Sequence, residues 1–129
     1  MTLPASLAPL RHGAGDPTLR VAADGLWRAT RTPDGPGTIH VPSDGSPARA
    51  WGPGRGWLLD RAGGLRGDLD DVTTFDPSPH PLVARLAHQF PRLRLPRTDR
   101  VLDALVPAVL EQKVPGAEAR RAWHKTIWT

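Results

Sequence analysis

Gln112, Lys113 and Val114 close the apolar run Val101 to Leu110 and precede Pro115-Gly116, which sets two polar side chains on a tight turn at a helix end. An amide and an ammonium offered at such a corner suit a partner surface. The same residues also fit a solvated terminus, with Lys113 at the negative end of the helix dipole.

Other groups able to do chemistry are less suited to it. Asp68, Asp70, Asp71 and Asp76 form an acidic group, but a calcium loop starting at Asp68 needs Glu at position 79, which is Pro. Loop solvation and helix capping explain these carboxylates better. His12, His40, His80, His88 and His124 include no pair at the i, i+4 spacing of helical zinc sites, and there is no Cys to help them, so no metal is assigned. Ser6, Ser43, Ser46 and Ser78 sit in turn-like contexts without a strand-to-helix elbow, and phosphate-cradling or dinucleotide fingerprints are absent. Pro53-Gly-Arg-Gly56 has the glycines of a phosphate-binding hairpin, but its flanks read as strands rather than helices, which favours an ordinary turn.

The elements that must position these residues are bounded by composition. A chain of 129 residues has room for one small domain but not two full ones, and 13 Gly with 15 Pro imply many turns and a thin core. The absence of Cys excludes disulfides, and Met1 to Leu10 has no basic residue before its apolar ones and is broken by Pro4 and Pro9. No run of eighteen apolar residues occurs, so no membrane span is expected, and the absence of Cys fits a cytoplasmic, bacterial setting. Of the 17 basic residues 15 are Arg, so overall basicity says little; its distribution says more. Residues 1–76 carry eight Arg against nine Asp, net −1, while residues 77–129 carry nine basic against four acidic residues, net +5. The electropositive face therefore belongs to the second half.

Residues 1–17 read as a disordered or loosely attached leader. From Thr18 the alternation is strand-like: Leu19 and Val21, then Leu26 to Arg31 and Thr38 to Val41 around the turn-rich Pro33–Gly37, a hairpin. Ala48 to Trp51 and Trp57 to Asp60 extend this as an antiparallel meander, with Trp27, Trp51 and Trp57 as its large core residues. The period then becomes helical. Pro81 suits a first helical position, and Leu82, Val83, Leu86 and Phe90 form one stripe on a helix over about 80–90, stopped by Pro91. Thr98 offers a cap with Asp99 in the first turn of the next helix. Its rows Val101-Leu105-Val109 and Leu102-Val106-Leu110 predict a central core helix, kinked at Pro107, and Ala117 to Trp123 starts another helix.

Leu105-Val-Pro-Ala-Val-Leu-Glu-Gln-Lys-Val114, followed by Ala117, Ala119 and Trp123, resembles the first conserved helix and turn of the helix-hairpin-helix DNA glycosylases, specifically the bacterial DNA-3-methyladenine glycosylase II type. Ala50-Trp-Gly-Pro-Gly-Arg-Gly-Trp-Leu-Leu59, Asp68 to Asp71, His80 to Val83 and Arg97-Thr98 are similar to the N-terminal mixed α+β domain of that family and its junction to the helical domain. The similarity runs from about Leu19 to Trp123.

With the leader over 1–17 read from composition, the resemblance implies an α+β chain: an N-terminal α+β domain over 18–96 with an antiparallel sheet and one or two helices, and the opening of an all-α domain over 97–129. It implies a double-stranded DNA partner carrying alkylated bases, with Gln112 and Lys113 at the position that fills the gap left by a swung-out nucleotide. Val114, Arg120 and Arg121 complete the expected DNA-binding set. Lys113 departs from the apolar wedge of some members. The family's phosphate-binding hairpin and its Asp are not found after Trp123, and His124 to Thr129 no longer look like the family, so a truncation or shifted reading frame is expected. No catalytic residue and no cofactor is therefore assigned, and the parent activity of base-excision repair, hydrolysis of the N-glycosidic bond of alkylated purines, is expected to be absent from the chain alone. The alternatives are a weak non-catalytic DNA-binding module and a nonfunctional remnant that self-associates through an uncovered core helix.

Overall fold

The computed structural model describes Leu7 and residues 10–128; residues 1–6, 8 and 9 of the expected leader, Ser6 among them, and Thr129 lie outside the described residues. The fold is α+β, with strands β1 (Leu19–Ala22), β2 (Gly25–Thr32), β3 (Gly35–Pro42) and β4 (Arg49–Trp51) in one antiparallel sheet ordered as in the sequence. Helices α1 (Arg55–Asp60), α2 (Ala62–Arg66), α3 (Pro81–Gln89), α4 (Val101–Leu110) and α5 (Gly116–Trp128) follow.

The hairpin expected around Pro33–Gly37 forms, with a tighter loop: Thr32 pairs with Gly35, leaving Pro33-Asp34 as the connection. The Thr32 hydroxyl donates to the Gly35 carbonyl at 2.8 Å and accepts from the Asp34 N–H at 3.1 Å, so the turn's polar groups are satisfied locally. Alternation then sorts the sheet into two faces. Leu19, Leu26, Ile39 and Val41 share one face and are buried against Leu58 of α1 and Leu65 of α2. Leu7, in the segment read as a loose leader, is buried in the same cluster.

Trp57 to Asp60 is helical, not a fifth element of the meander. The Leu58 N–H reaches back to the Gly54 carbonyl at 3.1 Å, which starts α1 directly after Pro53-Gly54. A Cβ at Gly54 would collide with the Thr32 side chain and the Gly35 carbonyl, so the hairpin end and the helix start meet where only glycine fits. The three tryptophans also separate. Trp57 packs on the core under the Arg61 guanidinium, 4.2 Å from its ring, but Trp27 and Trp51 stand on the opposite face of the sheet and Trp51 is 46% exposed.

In the second half, α3 begins as expected. His80 caps it by accepting the Leu82 N–H on Nδ1 at 3.2 Å, and Pro81 occupies the first turn. The start of α4 differs: Arg100 is its cap position, Thr98 closes a local turn on the Arg100 N–H at 3.3 Å, and Asp103 is the first-turn carboxylate. Asp99 lies outside the helix at φ 49°, beside Arg61 and Arg97. Helix α4 runs on through Pro107 but is not the central core helix. Val101, Leu102, Leu105 and Val109 are exposed, and Pro107 is its buried residue, because the core under the sheet is already filled by α1 and α2.

Candidate nucleic-acid interface

Glu111 N–H bonds to the Pro107 carbonyl at 2.9 Å and Gln112 N–H to that of Val109 at 3.2 Å, which winds α4 to its end. Four residues later the Pro115 carbonyl accepts from Glu118 at 2.9 Å and Ala119 at 3.1 Å and starts α5. Between them Gln112, Lys113 and Val114 are all exposed on the turn. Lys113 has φ 57°, the left-handed conformation usually left to glycine just past a helix end. A side chain there costs roughly 1 kcal/mol.

Arg120 lies across Gly13, where a Cβ would collide with its stem, and its guanidinium reaches back to Gly116 at the end of the turn. Lys113 and Arg120 thus belong to one corner. Arg121 is exposed one step further round α5, on another face, so the structure does not bring it together with Arg120. Of the acidic group, Asp71 caps the Thr73 N–H and hydroxyl, Asp76 caps Ser78, Asp70 accepts the Leu95 N–H at 2.8 Å and Asp68 pairs with Arg66.

Two polar anchors hold the helices on either side of the corner, one to the sheet and one to the segment before β1. Arg28, on the core face of β2, donates to Asp103 Oδ2 at 2.6 Å, and the Thr30 hydroxyl donates to the same oxygen at 2.7 Å. Burial lowers the Arg28 pKa from its ordinary value while the Asp103 carboxylate acts the other way, and the guanidinium remains charged. At α5, the Trp123 indole N–H donates to Asp16 Oδ1 at 3.3 Å, and Asp16 also accepts the N–H groups of His12 and Thr18 and the Thr18 hydroxyl. Burial opposes ionisation of Asp16, but these donors outweigh it, and its pKa is lowered. The His12 ring meets the Trp123 ring edge-on at 5.3 Å, and its Nδ1 lies 3.7 Å from Glu111. Segment 11–16, read as part of a loose leader, is therefore a strap over α5.

A cavity of about 390 Å³ remains between the anchors, lined by His12, Arg28, Asp103, Glu111 and Trp123 among others. Asp103 already accepts from two donors, which fits it for holding α4 rather than for moving protons. Sequence reasoning missed both anchors. The available signal was Arg28 itself: it shares the parity of Leu26 along β2, so it had to be buried with an acid.

Comparison with protein families, curated proteins and solved structures found no match to the chain. Among the described residues no helix is long and apolar enough to cross a membrane.

Proposed function

We propose that this chain corresponds to the amino-terminal part of a helix-hairpin-helix DNA glycosylase of the DNA-3-methyladenine glycosylase II type, and that it contacts duplex DNA through the α4–α5 corner. The observation that carries the reading is Lys113, exposed and left-handed on that turn, with Gln112 before it and Arg120 reaching back to Gly116 at the end of the turn. An exposed polar turn of this kind can enter a minor groove. Its amide and ammonium offset part of the few kcal/mol lost when a base unstacks and leaves the helix. Arg120 supplies a phosphate contact, and the polar anchors keep the corner rigid as it enters.

The role assigned to the chain is binding, not bond breaking. Its two buried or half-buried carboxylates at this end, Asp16 and Asp103, are each held by several donors, so neither is free to stabilise charge on a sugar. Base release from alkylated duplex DNA is expected to be nil; release that disappears in Asp103→Asn would contradict this.

Binding is tested by fluorescence anisotropy with a labelled duplex containing an abasic analogue. Lys113→Ala should weaken affinity about three- to tenfold and reduce the slope of log K against log salt by about one. Unchanged affinity and slope in a folded variant would remove the proposal. A second reading, self-association, is favoured by Val101 at 77% and Leu102 at 60% exposure. Sedimentation that shifts from dimer to monomer in Leu102→Glu supports it, and a monomeric parent chain excludes it.

A further inference from the structure

The sheet face turned away from the core carries a feature that the α4–α5 corner does not use. Pairing across all four strands places Arg20, Trp27, His40 and Arg49 in a single row, β1 to β4, and Trp51 follows Arg49 on the same face. Trp27 stacks on His40 with ring centroids 4.2 Å apart and on Trp51 at 5.5 Å, each pair within 17° of parallel. Asp24, at the β1–β2 turn, fixes one end by accepting the Trp27 indole N–H at 3.2 Å and lying 3.5 Å from His40 Nε2. The aromatic column is thereby set in one orientation, and 46% of Trp51 stays open to solvent.

Apart from Asp24 at one end and Asp44 in the neighbouring turn, the charged residues of this face are basic. Arg20, Arg31 and Arg49 project from it and are exposed, and no Asp or Glu occupies an outward position on any of the four strands. Arg20 and Arg31 have no ion pair among the described residues, while Arg49 feels the Asp44 carboxylate of the neighbouring turn. At about 4.8 Å between strands, Arg20 and Arg49 stand at the two ends of the row, with Trp27 and His40 between them, roughly 14 Å apart from backbone to backbone. Rings packed only for stability require no cationic frame. A half-open indole stacked on a fixed aromatic pair, with arginines on the same face, is complementary to a chain of anions that carries flat bases.

We infer that this face binds single-stranded DNA, one unpaired base stacking on Trp51 while the arginines track the phosphates. Duplex DNA does not fit the site, since its bases already stack on one another and present only edges to a broad, shallow face. The surface is separate from the α4–α5 corner and does not depend on that reading.

The test is anisotropy of a labelled twelve-nucleotide oligo(dT) titrated with the full chain. Trp51→Ala should weaken binding about tenfold, Trp51→Phe should retain most of it, and Arg20→Gln or Arg49→Gln should flatten the salt dependence. Trp51 is half exposed, so these variants are expected to fold, which circular dichroism verifies. Lys113→Ala should leave oligo(dT) binding unchanged, and Trp51→Ala should leave abasic-duplex binding unchanged, so the two surfaces fail separately. Oligo(dT) affinity insensitive to Trp51→Ala, tighter binding of oligo(rU) or of an acidic peptide, or no salt-dependent binding would each overturn the inference.

Discussion

Ile39 on β3 has no exposed surface, whereas Leu102 on α4 leaves 60% of its own open, although both are aliphatic residues in regular elements. The sheet half is held by apolar burial: one face of the hairpin is covered by α1, α2 and Leu7. The α4–α5 half is held by charge and hydrogen bonds, through Arg28 and Thr30 on Asp103 and through Asp16 on Trp123. The two kinds of attachment have different consequences. Burial over many atoms supplies stability but little direction, while a short ion pair fixes an orientation with few atoms. A stable sheet thus carries an anchored helix pair, and the apolar rows of α4 remain open.

The comparison breaks first at the core. Ile39→Ala should cost about 3 kcal/mol in urea denaturation, through lost burial plus the cavity left behind, whereas Leu102→Ala should stay within about 0.5 kcal/mol. Equal costs at the two positions would mean that α4 is covered after all. Next comes the anchor: Asp103→Ala leaves the Arg28 guanidinium buried without its partner, a loss of about 2–3 kcal/mol. Amide exchange should then speed up in residues 101–110 much more than in residues 35–42, and uniform acceleration would deny the separation of roles.

The smallest effect is acid sensitivity at the strap. The folded-state pKa of Asp16 is lowered, so its contribution is fully present above the unfolded value of about 3.9 and is lost as pH falls through the lower folded value. Asp16→Asn should therefore be less stable than the parent at neutral pH and should lose less stability on acidification. A parallel pH profile for the two proteins would show that Trp123 does not depend on the carboxylate charge.

Local chemistry was legible and distant pairing was not. The hairpin, the Pro81 start of α3 and the turn at 112–115 follow from alternation, a proline and a Pro-Gly pair, all signals within a few residues. Trp57 to Asp60 looked like a strand because a six-residue helix behind two glycines shows too little periodicity to be told from a short apolar run. The rows of α4 described which face could be buried, not whether anything covers it. Arg28 meets Asp103 from 75 residues away, and Asp16 meets Trp123 from 107, distances over which no spacing rule applies. Trp27 and Trp51 were assigned to the core by size, but strand parity places them on the outer face with His40.

The most direct test of the proposed DNA-contacting corner is amide exchange by NMR or mass spectrometry on the full chain, with and without an abasic-analogue duplex at saturating concentration. The account predicts new protection over residues 112–116 and around Arg120, with the sheet unchanged. Protection confined to β2, β3 and β4, or none at residues 112–116, would contradict it.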